Sequence, residues 1–207
     1  GLGQTFSIMQ CYLKPYPACR HTHCGLQAVE ELRDQIDAPI QKINIRIYNN
    51  AIMVAGQIQH PHSAEETKFS IHYTVACMAA KGKFGLSEIE KLNMEPDVEN
   101  IIDRITLIPD ESMENRKEGI RGASVQIVLV NGKILEKTIL VPKGDPENPF
   151  SEDDMIKKLC LCGQALFSKA QLDQLKQTVK SFGKNQRYDS TKIFGNLLQN
   201  RYPKSYG

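Results

Sequence analysis

The chain has 207 residues, of which 41% are hydrophobic and 24% charged, as in an ordinary globular protein. Its formal net charge of +2 is too small to indicate nucleic acid as a partner, because nucleic-acid binding requires a clustered basic face. No run of about 18 apolar residues and no signal peptide is evident, and the six cysteines are scattered, so we expect a soluble, cytoplasmic protein with reduced thiols and no membrane contact.

The first third of the chain combines predicted strands with two predicted helices. Residues 4–13 fit a short strand, and the two prolines that follow delay a helix because the residue before a proline disfavours helical conformation. A helix is then predicted over residues 19–37. Alternating isoleucines in residues 41–50 indicate a half-buried strand, and a second helix is predicted over residues 69–80 with Gly82 as its C-terminal stop.

A β-hairpin is the clearest local signal in the middle of the chain. Two alternating runs, ASVQIVLV and KILEKTILV, flank Asn131-Gly132. This dipeptide favours a type I′ turn, in which both central residues have positive φ. Upstream, residues 105–110 fit another strand, and Ser87 with Glu90 fits a capping box at the start of a short helix.

Two further helices are predicted after the hairpin, over residues 152–165 and 169–182, with Ser151 as the N-cap of the first. Residues 184–207 form a polar extension with a short helix near residues 193–198. This order of elements predicts an α+β fold with a mainly antiparallel sheet, a central β-hairpin and helices packed on the sheet. No glycine-rich phosphate loop is present, so we expect no nucleotide cofactor.

Residues 14–25 (KPYPACRHTHCG) hold most of the reactive side chains of the first part of the chain. A zinc site here would use Cys19, His21, His23 and Cys24 as ligands. The spacing is poor, because adjacent residues such as His23 and Cys24 point apart on a helix or a strand. A redox site would need a C-x-x-C motif, whereas four residues separate Cys19 from Cys24.

An anion-binding pocket uses more of the same residues. The first acid of the chain is Glu30, so no acid near in sequence neutralises Lys14 or Arg20. A helix that begins near Arg20 offers free N–H groups to an anion, and Arg20 itself can hold a carboxylate through two hydrogen bonds. His21 or His23 can gain or lose a proton near neutral pH. This set suits a small carboxylate substrate, and a purely structural segment with solvated charges is the alternative.

Four stretches of the chain resemble, in the same order, segments of one enzyme family. KPYPACRHTH resembles the K-x-Y-P-x-C-R-x-x-H segment of the MmgE/PrpD family, which includes 2-methylcitrate dehydratases, cis-aconitate decarboxylases and iminodisuccinate epimerases. HPHSAEETKFSIHYTVACMAAKG, VLVNGKILEKTILVPKGDP and ENPFSEDDMIKKL are similar to three later segments. Together the four stretches cover roughly residues 3–166.

The resemblance concerns only the C-terminal domain of the family. It implies an α+β domain, which we expect over residues 1–183, and an all-helical N-terminal domain that is missing here and acts as its partner. The family's active site lies in the cleft between the two domains. Members act on small polycarboxylates without a metal or organic cofactor, and they are typically homodimers.

Carried over residue by residue, the resemblance makes Lys14 and His23 the candidate catalytic residues, with Arg20 and Cys19 beside them as candidate substrate-binding residues. Two positions depart from the family pattern. Decarboxylase-like members carry histidine where Cys19 stands, and His72 stands where many members have proline.

These side chains suit proton abstraction next to a carboxylate. Lys14 and Arg20 would stabilise the negative charge that develops on the carboxylate in the transition state, and His23 would transfer or orient a proton. Dehydration, decarboxylation and epimerisation share these side chains. We expect the isolated chain to be inactive, because the other acid/base group belongs to the missing helical domain. The alternatives are a non-catalytic dimerisation module and a small zinc-binding domain.

Overall fold

The computed structural model divides the chain into two compact units, Gly1–Pro149 and Phe150–Gly207. It describes residues 3–4, 6–90, 92, 94–163 and 166–181. The α-helices in these residues are α1 (His23–Leu32), α2 (Asn49–Ala55), α3 (Ala64–Thr67), α4 (Ile71–Lys81), α5 (Leu86–Glu90), α6 (Pro96–Ile102), α7 (Glu152–Gly163) and α8 (Lys169–Ser181). The strands are β1 (Ile40–Ile47), β2 (Ile105–Pro109), β3 (Glu114–Asn115), β4 (Ile120–Arg121), β5 (Ala123–Leu129) and β6 (Ile134–Ile139).

The main sheet of the first unit has four strands in the order β2-β1-β5-β6. β1 is parallel to β2 and antiparallel to β5, and β5 is antiparallel to β6. The predicted α+β fold with a mainly antiparallel sheet is confirmed. The parallel pair was not predicted. It is possible because α2 to α6 connect β1 to β2 and let the chain return in the same direction.

The core of the first unit contains buried residues of this sheet and of helices α1 and α4, with α1 packed on β5 and β6 and α4 packed on α1. Ile43, Ile45 and Ile47 of β1 are at most 1% exposed, as the alternating pattern predicts. Ile40 is also buried although its spacing from Ile43 is odd, because the pairing with β5 shifts register between Ile40 and Lys42. The described hydrophobic core extends from Tyr16 to Ile139.

The predicted helices of the first unit are largely confirmed. The helix predicted over residues 19–37 consists of a 3-10 turn at Arg20–Thr22, then α1, then a 3-10 turn at Arg33–Gln35. The helix predicted over residues 69–80 is α4, and Gly82 ends it with a left-handed φ of 69°. In the described residues, no helix is both long enough and apolar enough to cross a membrane.

The predicted strand at residues 4–13 is wrong. Ser7–Gln10 form a 3-10 turn without a buried side chain, and Ile8 and Met9 are each 76% exposed. A strand is stabilised by a paired neighbour and by burial of one face, and the described residues provide neither for this segment.

The hairpin is confirmed, but its turn type is not. Among the turn residues only Gly132 has a positive φ, of 85°, so the predicted type I′ turn is wrong. Gly132 N donates to Leu129 O over 3.0 Å, and Leu129 N donates to Lys133 O over 2.9 Å. This is a longer loop with glycine as its left-handed residue, a common alternative to the two-residue turn.

The capping box predicted at Ser87 is also wrong. Ser87 lies inside the helix, which begins at Leu86, and the carboxylate of Glu88 accepts a hydrogen bond of 2.8 Å from Gly85 N. Because of this bond, the acid that caps the helix is Glu88 rather than Glu90, and Glu88 is only 3% exposed. In addition, the polar connection before α4 contains α3, whose N-cap is Ser63.

The second unit contains α7 and α8. Ser151 is the N-cap of α7, as predicted: Asp154 N donates to its hydroxyl over 3.2 Å, and Ser151 N donates to the Asp154 carboxylate over 2.8 Å. The predicted helix near residues 193–198, the polar extension and the domain boundary after residue 183 lie outside the described residues, so they stay predictions.

Candidate functional site

The backbone of residues 14–25 forms a stiff approach to α1. Two prolines precede Cys19, which has an extended conformation and begins the 3-10 turn Arg20–Thr22. Cys19 N donates to Lys68 O over 2.8 Å, and both the amide and the hydroxyl of Thr22 donate to Cys19 O, over 2.9 and 2.8 Å. These bonds fix the point at which the chain enters α1.

Arg20 forms an ion pair with Asp145, an acid that lies far from it in the sequence. Its guanidinium makes a two-point contact with the carboxylate of Asp145, in which Nε donates to Oδ1 over 3.2 Å and Nη2 donates to Oδ2. Arg20 is 8% exposed and Asp145 6%. The expectation that Arg20 has no acid to neutralise it therefore holds only within its own stretch of sequence, because the acid comes from 125 residues further along the chain.

Part of the Arg20 guanidinium makes no hydrogen bond to any residue that the structure describes. Nη1 is buried and has no hydrogen-bond partner among the described residues. The central carbon of the guanidinium lies 5.8 Å from the centre of the Tyr12 ring, within the range of a cation–π contact. Arg20 does hold a carboxylate through two hydrogen bonds, as its chemistry predicts, but that carboxylate belongs to the protein.

Asp145 lies in a tight loop, residues 141–148, which we call the aspartate loop. Gly144 N donates to Asn148 O over 2.8 Å, and Asn148 N donates to Asp145 O over 2.9 Å. Gly144 has a φ of 94°, a left-handed conformation that favours glycine. The loop is also bonded to the N-terminal segment: Leu13 N donates to Gly144 O, and Lys143 N donates to Gln27 Oε1, both over 2.8 Å.

His23 is enclosed by residues of its own chain. It is 1% exposed, its Nε2 lies 3.3 Å from Ala18 O, and the ring of Tyr16 contacts it edge-on with 5.5 Å between centres. The Tyr16 hydroxyl donates to Glu30, and burial, together with that carboxylate, raises the pKa of Tyr16 well above its usual value. In this structure His23 is therefore shielded from solvent, and the cleft-facing orientation that the resemblance implies stays a prediction.

Lys14 is the exposed member of the four predicted site residues. It forms no ion pair with any residue that the structure describes. Cys19 is half-buried and packs against the core. Next to Arg20, His21 Nδ1 shares a hydrogen bond with the hydroxyl of Tyr48, and burial raises the pKa of that tyrosine. The structure thus brings Arg20, Cys19 and His23 together inside one turn and leaves Lys14 at the surface.

The described residues do not support the zinc interpretation. No group of three or more histidine, cysteine or acidic side chains among them is arranged to hold a metal ion. Cys24, one of the four proposed ligands, instead donates its thiol to Arg121 O over 3.1 Å. Burial raises the pKa of the Cys24 thiol to about 12.

The other three histidines lie away from residues 14–25 in the sequence. His60 contacts Asp103 over 2.9 Å, and His62 follows it in an exposed position. His72 is 7% exposed within α4, and its Nδ1 is buried without a partner among the described residues. It is a buried helix residue.

Asp145 was not predicted to be part of the site. The sequence did contain a signal for Asp145, because the PKGDP stretch after the hairpin belongs to one of the four segments that resemble the family. Residue order alone gave no reason to place that stretch beside residues 13–27.

Fold and site together define an α+β domain in which an exposed lysine precedes a buried, ion-paired turn. A model of the MmgE/PrpD C-terminal domain matches residues 16–183, and the chain belongs to this family, as the four segments predicted. Lys14 lies just before the matched region. A search among curated proteins found no match.

Proposed function

We propose that this domain forms one wall of the active site of a cofactor-independent enzyme that abstracts a proton next to a carboxylate of a small polycarboxylate. The observation that carries the proposal is the family match over residues 16–183. A dehydratase or other lyase is the leading reaction class. Epimerisation and decarboxylation use the same kind of charge stabilisation and belong to the same proposal.

Lys14 is the residue proposed to contact the substrate. Because Asp145 already balances the charge of Arg20, Lys14 is the cation of this segment best placed to meet a substrate carboxylate. Proton removal next to a carboxylate builds negative charge on that group. A cation held there before the reaction stabilises the transition state more than the ground state.

The buried residues receive supporting roles. Arg20 holds the turn through Asp145 and keeps Nη1 as a spare donor, and Cys19 lies beside it. For His23, proton transfer and proton orientation were both predicted. Its 1% exposure favours orientation, because a buried ring can hold the backbone at Ala18 but cannot meet a substrate in solution.

The proposal includes two partners. A helical domain of the same protein supplies the second acid/base group and most of the substrate contacts, and two copies of the complete enzyme form a homodimer. No metal or organic cofactor is part of the proposed chemistry.

The test compares the 207-residue chain with the same chain joined to the helical domain. Each is offered citrate, 2-methylcitrate, cis-aconitate and iminodisuccinate, and products are followed by NMR. We expect turnover only with the helical domain present. Lys14→Ala should lower kcat on the order of 100-fold, the loss typical of removing one group that stabilises developing charge. His23→Ala is measured beside it.

The matched control is Lys42→Ala, which removes an exposed lysine from β1 and should leave turnover unchanged. Turnover by the 207-residue chain alone would contradict the proposed role of the helical domain. A Lys14→Ala variant as active as the Lys42→Ala control would remove Lys14 from the site.

A non-catalytic interaction module of the same fold is the second candidate. The burial of His23 and the internal pairing of Arg20 favour it, because both leave fewer groups free for chemistry. Unchanged turnover in a Lys14→Ala, His23→Ala double variant of the complete protein would support this second candidate over the first.

A further inference from the structure

Residues 13–20, which we call the arch, are attached at both ends to neighbouring residues of the aspartate loop. At one end Leu13 N donates to Gly144 O over 2.8 Å, and at the other Arg20 binds the carboxylate of Asp145. Lys14 is the second residue of the arch, immediately after Leu13. The position of Lys14 therefore depends on how firmly the aspartate loop holds both ends.

The arch itself has little freedom to adjust. Its two prolines fix φ at two of its eight positions and restrict the residues before them, one of which is Lys14. Tyr16 and Ala18 point into the core and are 7% and 3% exposed. A short stiff segment fixed at both ends transmits a displacement of one end to the residues between them.

The Arg20–Asp145 contact is the attachment with the largest energetic consequence. Both side chains are more than nine-tenths buried, so neither charge is solvated if the other is removed. The third attachment, between Lys143 N and Gln27 Oε1, holds the loop against α1 on the far side of Arg20. All three contacts lie within the first unit of the structure.

We propose that Asp145 is a positioning residue for Lys14: by binding Arg20 it holds the arch in the conformation that presents Lys14 to the substrate. This inference rests on the proposed function. Asp145 does not touch the substrate, and it acts through Arg20 and the backbone of the aspartate loop.

The first test measures amide hydrogen exchange in the 207-residue chain and needs no substrate. In wild type the Leu13 amide should be protected, because it is bonded to Gly144 O. In Asp145→Asn it should exchange at least about tenfold faster relative to core amides such as Ile45, because local opening of the arch precedes global unfolding. An unprotected Leu13 amide in wild type, or equal acceleration of Leu13 and Ile45 in the variant, would overturn the proposal.

The matched control is Glu88→Gln. Glu88 is a buried carboxylate of similar burial, 3% exposed, and its ion pair with Lys83 and its bond to Gly85 N lie outside the arch. Its neutralisation should affect stability without faster exchange at Leu13 relative to Ile45. A selective effect at Leu13 in this control would show that any buried charge loosens the arch, and would also overturn the proposal.

The second test is a kinetic double-variant cycle in the chain joined to the helical domain. Asp145→Asn should lower kcat on the order of ten- to hundredfold, as expected when a reacting group is displaced by about 1 Å. In a Lys14→Ala background the same substitution should have almost no further effect, because the residue that it positions is gone. A full effect of Asp145→Asn in both backgrounds would assign Asp145 a merely structural role.

The proposal can still be tested if the Asp145→Asn variant does not fold or if the complete enzyme shows no turnover. If Asp145→Asn does not fold, Gln27→Leu weakens the same loop without leaving a buried charge, and it should accelerate Leu13 exchange in the same selective way. If the complete enzyme shows no turnover with any substrate tested, the proposed function fails on those substrates, while the exchange measurement still supports or overturns the attachment of the arch by Asp145.

Discussion

The fold buries both Arg20 and Asp145, so the charge of each side chain is stabilised by the other rather than by water. Loss of one partner from such a buried pair typically costs about 3–5 kcal/mol, whereas apolar replacement of both partners can be nearly neutral. We therefore expect the pair to add little to net stability and to act mainly by favouring one conformation of the arch. Lys14 differs from this pair because its side chain is exposed to solvent.

His72 is expected to make the fold sensitive to acid. Burial lowers the pKa of His72, and the nearby His60 lowers it further, while a hydrogen bond to the Ile58 carbonyl opposes them. The unfolded chain then binds a proton near pH 6.5, whereas the folded chain binds it only at lower pH. The free energy of unfolding should therefore fall as the pH drops below about 6.5, because stability decreases wherever the unfolded state binds more protons.

The measurement is urea unfolding between pH 7.5 and pH 5 for wild type, His72→Gln and His62→Gln. His72→Gln cannot titrate and should lose less stability over this range than wild type does. His62→Gln changes an exposed histidine and should follow wild type. Identical pH dependence in wild type and His72→Gln would show that His72 does not titrate below its unfolded value.

Among the secondary-structure elements, α1 and α4 show how glycine serves two different purposes. Gly82 ends α4 in a left-handed conformation, whereas Gly25 lies inside α1, with ordinary helical geometry, against Val75 of α4. An added Cβ would meet nothing closer than 3.8 Å at Gly82 and 3.5 Å at Gly25. Neither position is therefore crowded, and only the backbone conformation distinguishes them.

Alanine at the two glycines should accordingly have opposite effects. Gly82→Ala should destabilise by about 1–2 kcal/mol, because a side chain disfavours left-handed backbone. Gly25→Ala should stabilise by up to about 1 kcal/mol, because alanine has the higher helix propensity. Thermal and urea unfolding of the two variants give the comparison. Destabilisation of both by the same amount would mean that close packing, not backbone conformation, sets the cost.

The first unit holds the large described cluster of buried hydrophobic residues, from Tyr16 to Ile139, and both members of the Arg20–Asp145 pair. Its sheet, its packed helices and the arch all belong to the same unit. The elements that present the candidate site are thus stabilised by contacts inside residues 1–149. On this basis the first unit should have the properties of an independently folding domain.

A chain truncated after Pro149 should therefore fold. We expect cooperative unfolding by circular dichroism, dispersed amide resonances and a protected Leu13 amide as in the complete chain. The matched control is truncation after residue 120, which removes β5 and β6 from the sheet and should abolish cooperative unfolding. A molten or unfolded 1–149 chain would show that the second unit is required for the core.

Local signals predicted the hairpin, the Ser151 cap, the Gly82 stop, the α+β class and the family. The hairpin, the cap and the stop each depend on residues close together in the chain, whose backbone preferences act before any long-range contact forms, whereas the class and the family follow from the order of such local segments along the chain. The same reasoning was wrong at residues 4–13 and at the hairpin turn type. There the preference was weak, and the availability of a partner strand or a different loop length decided the outcome.

For the candidate site, too, some properties could be predicted from the sequence and others could not. Residue chemistry alone indicated Lys14, Arg20 and one of two histidines, and the resemblance to the family then selected Lys14, Arg20, Cys19 and His23. The partner of Arg20, the burial of His23 and the exposure of Lys14 could not be predicted this way. Solvation and pairing of a side chain depend on what packs against it, and here the decisive neighbour, Asp145, arrives from 125 residues away.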